Sequence, residues 1–416
     1  MSWTPATVAA LAVFVATYVL ISTHRIRFLN LDRPTAALLG GVLMILLGVV
    51  SFEDAARKRI SWETIALLLG MMIVVAYLKL ARFFEWVLTW ILLRARTPKR
   101  LLALLIAASG VLSALFVNDT LCVLFTPIVL GAVLKARLDP VPHLVALVTS
   151  ANIGSVMTLT GNPQNMLVGI YSGIPYGRFL LLLLPVGALG LVLDWAVLRL
   201  LYRRELEGSF ETAGLELPRV HCAVILRVLA ILALMTAGFL LPLDRWIAGL
   251  TAGQKLPLVA MAGAALVVLA GRYRPAQAFR HVDWGLLVFF AGLFVVVAGI
   301  NATPLLSAAH GRVKPLLESG PGLCVFTVAL CNLVSNVPFI VVAREWIAGE
   351  HAWTLVAMAS TFAGNLTVVG SVANMIVLEL SRDRAKIGFW EYLKAGVPVT
   401  AVTTAAGYLL LRLFHS

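Results

Sequence analysis

Asparagine is the residue type whose placement most suggests chemistry in this chain. Of its ten asparagines, eight gather in four stretches: Asn118; Asn152, Asn162 and Asn165; Asn332 and Asn336; Asn365 and Asn374. A carboxamide both donates and accepts hydrogen bonds, so such a cluster can hold a hydroxyl-rich solute without requiring full charge on it. Asp119 sits beside Asn118 within an apolar stretch, followed by Thr120. A carboxylate at mid-membrane costs roughly 2.5 to 3.5 kcal/mol on insertion scales, so an acid held there reads as a proton- or ion-coupling group. The other acids in or near apolar runs are Asp194 and Glu379. Asp194, followed by Trp195, reads as an interfacial or interhelical contact.

The segment TLTGNPQNMLVG, residues 158 to 169, sets Gly161, Asn162, Pro163 and Asn165 inside a long apolar run. Proline removes a helical N–H and glycine accepts angles that a helix forbids, so the run should split into two half-helices. The first half ends in free carbonyls suited to a cation, and the second begins with free N–H groups suited to an anion or a hydroxyl oxygen. GSVAN, Gly370 to Asn374, repeats the device without the proline. Cys122 and Cys331 flank the two hairpin tips described below, where a thiolate would suit a thiophilic metalloid and a small buried hydrophobe is the competing reading.

The elements that must position these groups are membrane helices. The chain has 416 residues, 61% hydrophobic and 13% charged, with mean hydropathy +0.95. Solid apolar runs of bilayer length recur throughout, and their lack of alternation excludes a β-barrel. The net charge of +13 resides in short links between those runs, the pattern of membrane orientation and not of nucleic-acid binding. The cysteines at 122, 222, 324 and 331 show neither a disulfide framework nor metal-ligand spacing. The first apolar stretch lacks a basic leader segment and reads as a span, not a cleaved signal.

Candidate spans lie near 5–23, 34–50, 62–80, 143–170, 179–200, 222–242, 256–271, 284–300, 352–380 and 393–413, with 143–170 and 352–380 broken. Residues 101–136 and 321–348 instead read as re-entrant hairpins tipped by Asn118-Asp119-Thr120 and Ser335-Asn336-Val337-Pro338. The expected fold is thus an all-α polytopic membrane protein of about ten spans, two hairpins and two broken helices. SWETIALLLGMMIVVA from Ser61 aligns with DWGLLVFFAGLFVVVA from Asp283, pairing Gly70 with Gly292. Thr158, Gly161 and Asn165 pair with Thr367, Gly370 and Asn374, and Asn118 with Asn336. Two inverted repeats follow, 1–220 with a link at 201–220, and 221–416. With the N-terminus outside, the inner links, Arg25 and Arg27 among them, hold roughly twice as many Lys and Arg as the outer ones, although Arg57, Lys58 and Arg59 run against the trend.

The histidines lie at span ends or in links, and phosphate-binding loops and catalytic triads are missing, which argues against an enzyme or a self-contained ATP-driven pump. No cofactor or metal is expected.

The chain resembles, over nearly its full length, the ion transporter superfamily in its arsenite/antimonite permease (ArsB) and NhaD-type branch. LFVNDTLCVLFTPIVL, 115 to 130, is similar to the hairpin motif of arsenite permeases. TLTGNPQN, SNVP and GSVAN are similar to motifs of a sub-branch of anion transporters and plant-type silicon efflux proteins. NDT and SNV stand where the dicarboxylate branch carries SNT pairs. The resemblance implies an elevator-type secondary carrier of the inner (cytoplasmic) membrane, often a homodimer, with a separate ATPase as a further partner in some members. It implies substrate contacts at Asn118, Thr120, Gly161, Asn162, Asn165, Asn336, Gly370 and Asn374, with coupling at Asp119. The first expectation is proton-coupled efflux of a metalloid hydroxide or oxyanion, arsenite or antimonite. A sodium- or proton-coupled anion carrier or Na+/H+ antiporter, and a passive channel, are the alternatives.

Overall fold

The computed structural model describes residues 4–22, 32–210 and 216–415, so Arg25 and Arg27 lie outside the described residues. Every regular element described is helical. The helices of eight residues or more begin with α1 (Pro5–Ser22), α2 (Arg33–Leu46), α3 (Trp62–Leu80), α4 (Phe83–Arg94), α5 (Pro98–Leu115), α6 (Asn118–Lys135), α7 (Pro140–Ser155), α8 (Pro163–Ser172) and α9 (Tyr176–Leu201). The others of that length are α10 (Cys222–Leu240), α11 (Ala252–Ala270), α12 (Trp284–Asn301), α13 (Pro304–Glu318), α14 (Gly320–Val334), α15 (Asn336–Ala343), α16 (Glu350–Ala363), α17 (Val372–Ser381) and α18 (Phe389–His415). Among the described residues, eight helices are long and apolar enough to cross a bilayer: α3, α5, α6, α9, α10, α11, α12 and α18. The protein is an integral multi-pass membrane protein.

Side-chain caps fix where these helices begin. Asp32 accepts from the Thr35 N–H at the start of α2, Asp139 from Val141 at α7, and Asp283 from Leu286 at α12, each at 2.9 Å. Each satisfies one of the orphan donors of a first helical turn. Gly70 and Gly292 let helix pairs touch along their backbones. A methyl on Gly70 of α3 would lie 2.7 Å from the Ala260 carbonyl carbon of α11, and one on Gly292 of α12 would lie 2.6 Å from the Leu38 nitrogen of α2. Small residues admit this approach where lipid gives helices no hydrophobic reason to associate.

The remaining helices surround two hairpins and two interruptions. α5 and α6 are joined through Phe116 and Val117, while α14 and α15 meet at Ser335, whose φ of 74° is unusual for a residue with a side chain. The arms of the first hairpin are longer than the sequence suggests: 18 residues each, about 27 Å of helix. Length alone would let each cross. Asn118 at its tip is nevertheless buried, and its N–H donates to the Gly161 carbonyl at 3.0 Å. The returning arm of the second hairpin, α15, has 8 residues and is far too short to cross. Residues 156–162 separate α7 from α8, and residues 364–371 separate α16 from α17. α4 and α13, each preceding a hairpin, occupy stretches that the sequence reads as links.

Candidate functional site

Four helices begin at one place. α6 and α15 start at the hairpin tips, and α8 and α17 start at the breaks. α6 packs on α17, and α15 on α8. Between them lies a small cavity, about 20 Å³, bounded by Asn118, Asp119, Gln164, Ser335, Asn336 and Ser371, with Phe289 and Phe290 of α12 closing one side. That is room for about one water molecule. The four N-termini direct positive partial charge inward, and Asp119 is the one formal charge on the wall.

Asn152 of α7 is the hub behind that wall. Its Oδ1 accepts from Asn118 Nδ2 at 2.9 Å and from Ser371 Oγ at 3.2 Å. Its Nδ2 donates to Asn365 Oδ1 at 2.9 Å and to Asn374 Oδ1 at 3.1 Å. One side chain therefore ties the first tip to both sides of the second break.

The remaining amides close the broken backbone. Asn165 Nδ2 donates to the Ser155 and Thr158 carbonyls, both at 3.1 Å, and Asn374 Nδ2 to those of Gly364 at 2.6 Å and Thr367 at 2.8 Å. Asn162 caps α8, its Oδ1 accepting the Asn165 N–H at 2.7 Å, while Asn332 Nδ2 donates to the Ala363 carbonyl at 3.0 Å. These bonds satisfy carbonyls that helix interruption would otherwise strand in a dry interior. Two carboxamide oxygens stay unused: Asn118 Oδ1 and Asn336 Oδ1 are buried without a hydrogen-bond partner in the protein. Both residues line the cavity.

Asp119 stands at a junction. It also borders a second cavity, of about 140 Å³, whose wall includes Thr120, Lys79, His281 and Asp283. Asp283 and Arg33 both act on it electrostatically. Burial, and then the Lys79 ammonium, hold the His281 imidazole below its ordinary value of 6.5.

Of the residues singled out in the sequence, Asn118, Asp119 and Asn336 reach the inner cavity and Thr120 the outer one. Gly161, Asn162, Asn165, Gly370 and Asn374 lie behind the wall, shaping it. A methyl on Gly161 would lie 2.8 Å from Ser155 Cα and 3.0 Å from the Ser113 carbonyl. Cys122 and Cys331 are fully buried and belong to neither cavity wall. The sequence reading did not single out Gln164, Ser371, the Phe289–Phe290 pair or the Lys79–His281–Asp283 group. Gln164 and Ser371 stand inside motifs already marked, whereas the others lie at the ends or middle of spans with no local signal.

Similarity to known proteins identifies the chain as a secondary transporter of the ion transporter superfamily, and not an enzyme. The chain belongs to the CitMHS family, described as citrate transporters, whose profile matches residues 18–352. It is similar to the 46 kDa membrane protein of Mycobacterium leprae, 30% identical over 429 residues, covering 97% of this chain and 98% of that protein. It is likewise similar to the silicon efflux transporter LSI3 of Oryza sativa subsp. japonica, 31% identical over 460 residues, covering 92% and 93%. Among solved structures, the Alcanivorax borkumensis YdaH transporter shares the fold at TM-score 0.60 and 15% identity, with 98% of each chain covered.

Proposed function

We propose that this transporter is a proton-coupled efflux carrier of a small metalloid hydroxide, with arsenite and antimonite as primary substrates and silicic acid as a solute of the same chemistry. One observation carries the reading: the paired, unpartnered carboxamide oxygens of Asn118 and Asn336 on the cavity wall. Such acceptors take hydroxyl donors, and the N–H groups of the converging helix starts take hydroxyl oxygens in return. With Asp119 ionised, its charge offsets the positive helix ends, so the site suits a neutral solute such as As(OH)₃. The name of the rice relative points to the same class of hydroxide.

The alternatives fit less well. A citrate or dicarboxylate carries two or three negative charges, and against them the inner cavity offers only the helix N-termini, with no Lys or Arg on its wall and Asp119 adding a further negative charge. A sodium site built from half-helix carbonyls would have to displace the Asn165 and Asn374 amides, which already donate to them. In the proposed cycle Asp119 carries a proton in one facing of the carrier and releases it in the other, exchanging it against the solute. The two halves, 1–220 and 221–416, act as inverted repeats, with re-entrant hairpins on opposite sides and a transport unit that moves as an elevator. The Lys and Arg bias supports an outside N-terminus in the inner (cytoplasmic) membrane.

The test is a substrate panel on purified protein in liposomes: arsenite, antimonite, silicic acid, sulfate, succinate and citrate under imposed proton or sodium gradients. The reading expects flux of the neutral hydroxides driven by the pH gradient without sodium. Sodium-driven citrate or succinate uptake, with no response to arsenite or silicic acid, would overturn it.

A further inference from the structure

The inner cavity, about 20 Å³, has room for one water and is too small for a central atom carrying three or four hydroxyl groups. The outer one, about 140 Å³ against 20 Å³, is sevenfold larger and can hold such a solute. Asp119, Leu286 and Val372 border both, so the two cavities are neighbours across a thin partition of side chains.

The outer wall carries polar groups without partners. Among the described residues, the side chains of Lys79 at the end of α3, Thr120 on α6 and His281 before α12 make no hydrogen bond or ion pair. Asp283 accepts the Leu286 N–H with Oδ1 and keeps Oδ2 free. His281, Asp283 and Val123 are exposed, whereas Lys79, Asp119 and Thr120 are half-buried. The polar lining thus runs from the surface inward to the partition.

An ammonium and a hydroxyl stand ready to donate, and two carboxyl groups to accept. A neutral solute whose hydroxyls do both satisfies each set at once. An oxyanion fits poorly, because Asp119 and Asp283 face it across the cavity from a single ammonium, and His281, held below 6.5, is neutral near pH 7. In the orientation proposed above, the end of α3 and the start of α12 lie on the cytoplasmic side, from which an efflux carrier loads.

We propose that the outer cavity is a separate loading site, in which the metalloid hydroxide binds to Lys79, Thr120 and Asp283 before the helix starts part to admit it to the inner one. This rests on the neutral-hydroxide reading above. Asp119, on the partition, touches the solute in both places.

The experiment places a reporter thiol on the exposed rim, Val123→Cys, in a Cys222→Ser background, the other three cysteines being buried. Its rate of reaction with a bulky maleimide is measured with and without silicic acid, beside silicic acid exchange in proteoliposomes. At ten times its half-saturating concentration silicic acid should slow labelling about tenfold, as occupancy of one site dictates. Phosphate should not slow it. Asn336→Ala, which alters the inner wall alone, should lower exchange and keep the protection. Lys79→Met, or Thr120→Val if the first does not fold, should need about tenfold more silicic acid for the same protection, the scale of one lost charged or neutral hydrogen bond. Silicic acid exchange without protection overturns the proposal, as does protection by phosphate in its place. Protection lost in a folded Asn336→Ala overturns it too, since the solute would then occupy the inner site only. A protein that neither binds nor moves silicic acid or arsenite instead defeats the substrate reading, and the loading site with it.

Discussion

Replacing the hub residue, Asn152→Ala, removes four side-chain hydrogen bonds at once: to Asn118, Asn365, Asn374 and Ser371. Bonds between membrane helices average about 0.6 kcal/mol each, so the loss totals about 2 to 3 kcal/mol. If that energy holds the Asn118 carboxamide at the cavity wall, arsenite exchange should fall by up to about 50-fold, at 1.4 kcal/mol per decade. Asn152→Asp supplies a second comparison. It keeps the acceptor for Asn118 and Ser371 but sets a buried carboxylate oxygen against the Asn365 and Asn374 oxygens, and should fall at least as far as alanine. The assay is the initial rate of labelled-arsenite exchange in proteoliposomes, read beside the thermal midpoint of the same preparations. A lower midpoint with wild-type exchange would refute the reasoning, because the network would then be packing and not site geometry.

Other consequences follow from neighbouring contacts. Gly154→Ala would drive a methyl into the Gly110 backbone and separate α5 from α7, costing about 1 to 3 kcal/mol by overpacking. Gly131→Ala, with nothing within 4 Å of the added carbon, should leave the thermal midpoint unchanged or raised. Cys122→Ala and Cys331→Ala, separately and together, should retain arsenite transport, since neither thiol reaches a cavity wall. Lost arsenite flux with intact silicic acid flux would instead reveal a thiol ligand. His281 is held below 6.5 by burial and Lys79, so it stays neutral near pH 7 and gains its charge only as pH falls through that lowered value. The cation that then forms beside Asp119 opposes protonation there. The acid limb of the pH–rate profile should therefore be shallower in wild type than in His281→Gln.

The sequence reveals the helix breaks because glycine, proline and amides inside apolar runs are costly unless a break uses them. TLTGNPQN and GSVAN mark both interruptions for that reason. It also marks both tips, Asn118 and Asn336, since polar points between apolar arms have few other uses. The division of labour among the amides is not legible there. Asn118 and Asn165 look alike in sequence, yet one presents a free oxygen to the cavity and the other spends its amide on the Ser155 and Thr158 carbonyls. Only three-dimensional packing separates them. Asn152 illustrates the same limit, because three of its four partners come from residues more than two hundred positions away on α17 and in the break before it. Lys79, His281 and Asp283 were equally hidden. Each stands at a helix end, where charge is ordinary, and becomes notable only when the fold sets it opposite Asp119.

The most direct test of the account is pH-gradient-driven arsenite uptake into liposomes oriented for efflux, comparing wild type with Asp119→Asn, both confirmed as folded by thermal midpoint. The account predicts uptake against the arsenite gradient by the wild type and none by Asp119→Asn. Uphill uptake by Asp119→Asn at the wild-type rate would contradict it.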